Sequence, residues 1–308
     1  MRYLVTGAAG FIGSHLAEAL VGEGHDVVAV DCFTDYYDPG QKEENAAGFD
    51  VVRLDLAEGG LEPLLAGADG VFHLAGQPGV RASFGESFPL YVRRNLVASE
   101  RVFEAAARAG IRVVFASSSS IYGDAARYPT PEDAPPQPIA PYGITKLGCE
   151  HLASAYARSD GLDAVILRYF TVYGPRQRPD MAFARLVEAL AEGRPFELFG
   201  DGSASRGFTF VGDVVAATVA AMERASAGAV LNVGGGAEAT MREAIELLER
   251  LSGRELELVE RETAAGDVRR TAADTRRIQE ALGWKPRVPL EQGLAAQWRW
   301  ASSKVATR

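Results

Sequence analysis

Thr6-Gly7-Ala8-Ala9-Gly10-Phe11-Ile12-Gly13 follows the apolar run Tyr3-Leu4-Val5 and opens an amphipathic stretch that continues through Val21. A glycine turn between a first strand and a first helix is the setting that cradles phosphate, because the helix start presents unpaired N–H groups and the positive end of its dipole. Gly7 suits the tight turn, Gly10 lets backbone approach a pyrophosphate, and Gly13 lets helix and strand pack closely. Phe11 and Ile12 stand at the helix start, within reach of the same ligand. The spacing is Gly-x-x-Gly-x-x-Gly, which departs from the Gly-x-Gly-x-x-Gly of dehydrogenases. Asp31 ends the second apolar run; its carboxylate can accept from a ribose 2′-hydroxyl and would repel a 2′-phosphate, so the expected cofactor is NAD rather than NADP. Asp55-Leu56, after the third run, could reach the adenine.

Outward from that turn, short apolar runs alternate with helical stretches. Strands are expected at 3–6, 26–30, 50–54, 70–74, 112–116 and 164–168, and helices at 11–21, 90–108 and 142–158. This is the α/β pattern of a Rossmann-type, doubly wound parallel sheet covered by helices. After about Tyr169 short strands (196–199, 208–210, 230–233, 256–259) mix with helices (182–192, 213–225, 241–251, 275–282). The expected division is a nucleotide-binding unit over 1–169 and a smaller α/β substrate lobe over 170–308, with some later segments returning to the first unit. The proline-rich stretch Tyr128–Pro141 reads as a loop that could cover a site.

Composition narrows the function classes. The 308-residue chain carries a net charge of −9, giving no basic face for nucleic acid or anionic lipid. No apolar run is long enough to span a bilayer, and the first residues run directly into a strand, so a cytoplasmic protein is expected. Two distant cysteines and four scattered histidines show no metal-ligand or disulfide spacing, and no metal is expected.

Tyr142-Gly143-Ile144-Thr145-Lys146 places a phenol and an ammonium one helical turn apart on the same face. A fixed cation at that range favours the phenolate, which makes the pair a candidate proton-transfer device. The glycine turn, Ser117-Ser118-Ser119-Ser120-Ile121-Tyr122-Gly123 and the Tyr/Lys pair stand in this order. So ordered, the chain resembles the extended short-chain dehydrogenase/reductase family, in its nucleotide-sugar epimerase and dehydratase branch. The resemblance extends through 73–81 and 168–175 to Gly266-Asp267-Val268-Arg269. It implies a bound NAD, with Leu74 and Ala75 beside it, and a catalytic set of Ser118, Tyr142 and Lys146. Tyr142 would take the proton of the sugar O4 hydroxyl as hydride leaves C4 for the nicotinamide, Ser118 would hold that oxygen, and Lys146 would hold the nicotinamide ribose. Four consecutive serines also suit a polar strand-end turn, and the choice of Ser118 rests on its alignment to Tyr122-Gly123.

Branch members that dehydrate or decarboxylate resemble one another in carrying an acid beyond the catalytic hydroxyl residue, where this chain has Ser119 and Ser120. That difference points to epimerisation. The segments 35–39 and 174–182 are similar to UDP-glucuronate 4-epimerases, in which the arginine aligned with Arg178 meets the sugar carboxylate. Guanidinium suits that group, since its planar fork matches a carboxylate. The resemblance also implies substrate-side positions for Thr171, Ser119 and Ser120, with Arg206 and Arg269 for the pyrophosphate and Arg81 and Asn95 as further candidates. Arg206 lies in Arg-Gly-Phe where the branch has Arg-Asp-Phe. The expected function is an NAD-dependent UDP-sugar 4-epimerase, most like one acting on UDP-glucuronate. UDP-glucose 4-epimerase is the alternative, followed by a UDP-glucuronate decarboxylase and a non-catalytic NAD-sensing module. By the same analogy, the helices at 90–108 and from 142 are expected to form a homodimer's four-helix bundle.

Overall fold

The computed structural model describes residues 1–262 and 270–306. The strands are β1 Arg2–Thr6, β2 Asp26–Asp31, β3 Val51–Arg53, β4 Gly70–His73, β5 Arg112–Ser118, β6 Ala164–Tyr169, β7 Thr171–Tyr173, β8 Phe196–Phe199, β9 Ser205–Phe210, β10 Val230–Val233, β11 Ala237–Thr240, β12 Leu258–Arg261 and β13 Arg270–Thr271. Seven of them form one sheet in the order β10-β6-β5-β4-β1-β2-β3, parallel throughout. Strands buried on both faces need continuous apolar runs; β6 is buried at every residue and β1 at all but its first. The chain runs outward from β1 to β3, then crosses back to β4 and continues the other way. The sheet therefore reverses direction between β1 and β4, and ligands in such sheets bind at the carboxyl ends of the strands beside that reversal.

Two apolar layers cover the sheet. One joins Phe11, Leu16 and Leu20 to Val214, Val215 and Leu231; the other joins Val102, Phe103 and Ala106 to Val113, Phe115 and Cys149. A third cluster, built on Phe183, Leu186, Phe196, Phe208 and Leu248, forms the core of the smaller part of the molecule. There β9 pairs with β7, β11 and β13, and β8 pairs with β12. β10 lies far along the chain yet pairs with β6 in the large sheet, Val230 opposite Ile166. Among the described residues no helix is long and apolar enough to cross a membrane.

The expected elements of the large sheet are present with ends shifted by one or two residues. The long helix expected at 90–108 is not continuous: a π-helical turn, Val92–Val97, separates Phe88–Tyr91 from Ala98–Ala109. Extra residues in a π turn rotate one side chain inward, and here Asn95 is buried while Arg93 stays outside. β7, β11 and β13, the short helix Pro39–Asn45 and the terminal helix Leu290–Ala306 were not expected from the sequence. The proline-rich loop does not cover the cavity described below. Its Thr130 N–H donates to the Ala272 carbonyl (2.8 Å) and its Thr130 carbonyl accepts from Asp274 (3.0 Å), which ties it to the segment around β13 instead.

Gly13 shows how closely the first helix, Phe11–Gly22, sits on the glycine turn. A Cβ at Gly13 would lie 2.1 Å from the Gly7 carbonyl oxygen, a backbone atom that cannot step aside. Gly13→Ala is therefore expected to destabilise the protein by about 2 kcal/mol or more. Urea unfolding should show a lower midpoint, and a midpoint equal to that of the wild type would show that the turn relaxes without cost.

Candidate active site

One cavity of about 420 Å³ lies over the carboxyl ends of β1, β2, β4, β5 and β6, within the size range of small-molecule sites. Its floor is the glycine turn. Gly7 has φ +71°, and a Cβ there would meet the Ala75 backbone nitrogen at 2.8 Å, so only glycine lets the two loops pass. No side chain caps the first helix at Gly10. The first intrahelical bond runs from Ser14 N–H to the Gly10 carbonyl (3.0 Å), which leaves the amides of Phe11, Ile12 and Gly13 ahead of it, all three on the cavity wall. A pyrophosphate fits that cradle by charge and by space.

Asp31 lies where the sequence places it, buried at the end of β2 and lining the cavity. Its carboxylate accepts from Ala9 N–H (3.2 Å) and Phe33 N–H (2.7 Å), and Lys42 Nζ approaches it at 3.4 Å. Lys42, from the unexpected helix Pro39–Asn45, is a cation in this corner that the sequence reading missed. Asp55 and Leu56 also reach the wall; Asp55 is ion-paired with Arg93 at 2.8 Å. Leu74 and Ala75 leave β4 on the opposite side of the reversal and line the same space.

The helix Pro141–Asp160 carries Tyr142 and Lys146 along the cavity. Pro141 starts it with a backbone already set for a helix, and the next N–H, on Tyr142, donates to Ser83 Oγ at 3.1 Å. The Tyr142 ring stands edge-on to Tyr91 at 6.4 Å. Lys146 is buried and donates to the Ala116 carbonyl of β5 at 2.7 Å, which holds the ammonium beneath the pocket. Asn95 clamps this helix to the loop after β4: its Oδ1 accepts from Gln77 N–H (2.6 Å) and its Nδ2 donates to Thr145 Oγ1 (3.0 Å). Asn95 lies behind the wall and does not line the cavity, so it reads as a support of the site.

The serine run is resolved by its partners. Ser117 donates to Glu150, which is held by Arg168 in a buried ion pair at 2.7 Å. Its hydroxyl is committed to that network. Ser118 instead ends β5 and donates to Ser120 Oγ at 3.1 Å, at the cavity wall with Ser119 and Ser120. Deeper still, His73 bridges Thr6 Oγ1 (2.7 Å) and Ser99 Oγ (2.9 Å). Burial, with the Lys146 charge adding to it, pushes the His73 pKa down to about 3, so its ring is neutral at ordinary pH.

On the far side, Thr171 and Arg178 line the cavity. Arg178 does so in company: its Nε and Nη2 donate to the two Asp180 oxygens at 2.9 and 3.0 Å. Asp180, Tyr36 and Gln77 are wall residues that the sequence reading did not single out. Two expected substrate residues stand outside this wall. The Arg81 guanidinium lies 5.2 Å from the Phe199 ring centre, and Arg206 Nη1 donates to the Ser205 carbonyl at 2.9 Å. Both belong to the side of the molecule that carries β8 and β9, beyond the enclosed volume. Arg269 falls outside the described residues.

Known proteins resemble this chain over nearly its whole length. The family model for the NAD dependent epimerase/dehydratase family matches residues 3–234. A UDP-glucuronate 4-epimerase of Thermodesulfobacterium geofontis is 34% identical, with 98% of this chain and 97% of that protein covered. A UDP-glucose 4-epimerase of Mycolicibacterium smegmatis is 39% identical, with 96% of each covered. The crystal structure of a Bacillus cereus UDP-glucuronic acid 4-epimerase, in complex with UDP-glucuronic acid and NAD, superposes with a TM-score of 0.95 at 39% identity, covering 99% of this chain and 100% of that one.

Proposed function

The chain belongs to the NAD dependent epimerase/dehydratase family, and from that premise we propose that it interconverts UDP-glucuronate and UDP-galacturonate by inverting the sugar at C4. The observation that carries this reading is Arg178, a guanidinium on the same cavity wall as Ser118, Tyr142 and Lys146. A hexuronate carries its carboxylate on C5, next to the reacting C4, and a planar fork is the side chain that best recognises it.

NAD, when bound, supplies a reversible hydride acceptor for C4. The glycine turn and the amides of Phe11, Ile12 and Gly13 would hold its pyrophosphate, Asp31 the adenosine ribose, and Lys146 the nicotinamide ribose. The remaining chemistry falls to side chains of this protein. Tyr142 takes the O4 proton of the sugar and returns it after the sugar has turned. Lys146, one helical turn away, supplies positive charge where that oxygen becomes anionic. Ser118 donates to the sugar O4 and keeps it in line with Tyr142. At Ser119 and Ser120 there is no carboxylic acid to drive elimination or loss of carbon dioxide at the keto stage. Net redox change is zero.

UDP-glucose is the second reading, favoured by the Mycolicibacterium relative, which is no less similar than the glucuronate enzymes. Incubating the NAD-loaded protein with each nucleotide sugar separately and resolving the products decides between them. UDP-galacturonate from UDP-glucuronate is expected; turnover of UDP-glucose alone, or UDP-pentose with carbon dioxide, would overturn the assignment. Tyr142→Phe should lower kcat by about 10²-fold or more, since it removes the proton acceptor. Activity within a few fold of the wild type would reject Tyr142 in that role.

We also propose a homodimer formed through the helices Phe88–Ala109 and Pro141–Asp160. Leu90, Val97 and Ile144 are exposed there at 37%, 39% and 52%, with Phe84 and Phe88 nearby, an apolar surface that favours a covering partner. Two unpaired cysteines suit a reducing compartment such as the cytoplasm. Light scattering at micromolar concentration should give twice the chain mass, and a monomer mass would contradict the dimer.

A further inference from the structure

Arg178 is gripped from one edge only. Asp180 takes Nε and Nη2 side-on, while Arg178 Nη1 has no partner among the described residues. A guanidinium carries five N–H donors in one plane, so a carboxylate on the Nε edge leaves the Nη1/Nη2 end able to receive a second carboxylate in the same plane. The grip on Arg178 is itself held. Tyr36 Oη, from the loop after β2, donates to Asp180 Oδ2 at 3.1 Å across 144 residues of chain. The Tyr36 ring is seated in turn by Gly79, where φ is +98° and a Cβ would lie 2.2 Å from the Tyr36 oxygen. Burial, followed by the Asp180 charge, pushes the Tyr36 phenol up, so it remains a neutral donor.

We infer that Tyr36 and Asp180 are positioning residues for substrate selection: Tyr36 fixes Asp180, and Asp180 fixes the plane of Arg178 so that its Nη1/Nη2 end is presented to a sugar carboxylate. The inference rests on the reading of Arg178 as the carboxylate-binding residue. Physically the case is one of pre-organisation. An unsupported arginine on a loop samples many rotamers and loses that freedom when the ligand binds, whereas a side chain already gripped has lost it during folding. Asp180 also brings negative charge close to the incoming carboxylate. It can favour binding only through orientation, so variants that preserve its charge give the clean test.

Tyr36→Phe removes one hydrogen bond and no charge; Asp180→Glu keeps the charge and displaces it by one methylene. Affinities of the NAD-loaded protein for UDP-glucuronate and for UDP would be measured by titration calorimetry for the wild type, both variants and Arg178→Ala. The expected result is UDP-glucuronate binding weakened about 5- to 10-fold in Tyr36→Phe and in Asp180→Glu, with UDP binding unchanged. A general loosening of the loop would instead weaken both ligands together and overturn the inference. Wild-type selectivity in both variants, with selectivity lost in Arg178→Ala, would overturn it while leaving the role of Arg178 intact. Unchanged selectivity in Arg178→Ala would remove that role and this inference with it.

Discussion

Thr6 lies opposite His73 in the parallel pairing of β1 with β4, and the site is laid out from that point. The two strands run side by side and then part: one continues into the glycine turn, the other into the loop that carries Leu74 and Ala75. The parting is held from within. His73 bonds to Thr6 Oγ1, and Thr6 Oγ1 also accepts from Ala75 N–H at 3.2 Å, so both loops begin from one hydrogen-bonded cluster. A crevice at the end of a parallel sheet needs such divergence, because backbone that stayed paired would leave no amides to meet a ligand.

The helix Pro141–Asp160 is fastened at the same level by contacts that differ in kind. Lys146 reaches β5 through the Ala116 carbonyl, Tyr142 takes its N-terminal partner from Ser83, and Asn95 bridges to Thr145 from the π-helical turn. Behind them Arg168 and Glu150 form a buried ion pair, with Tyr122 accepting from Arg168 at 2.8 Å and donating to Asn232. Buried charges are tolerated only where each has partners, and this network provides them. Its consequence for the site is to draw Ser117 inward. Ser118, one residue on along an extended strand, then faces the other way, into the cavity.

Several of these features could be read before any coordinates. The strand, glycine turn and helix at 2–22 follow from hydrophobic pattern and from the glycine spacing, and the Tyr142/Lys146 pair follows from helical periodicity. Other features could not. Asn95 appears as one polar residue in a helical stretch, and nothing local indicates the π turn that buries it. β13 is two residues long and is defined only by its pairing with β9. Arg81 and Arg206 carry the right chemistry for a phosphate, yet their backbone positions set them on the side of the molecule outside the enclosed cavity. Lys42 looks like a helix-surface lysine, and only the fold of the loop after β2 turns it toward Asp31.

The sequence by itself determined the glycine turn between strand and helix and the placing of Tyr142 and Lys146 one helical turn apart, because each is complete within one or two turns of backbone and needs no distant contact. Tertiary structure alone decided that the Ser117 hydroxyl is committed to Glu150 while Ser118 donates to Ser120, and that Arg178 stands on the cavity wall while Arg81 and Arg206 do not. It also decided that Arg178 is held by Asp180 and Tyr36. Those outcomes depend on groups brought together from far apart in the chain, Tyr36 with Asp180 across 144 residues and Ser117 with Glu150 across 33. Such pairings are set by packing of the whole sheet and its helices, whose energy is spread over many apolar contacts that no short stretch of sequence contains.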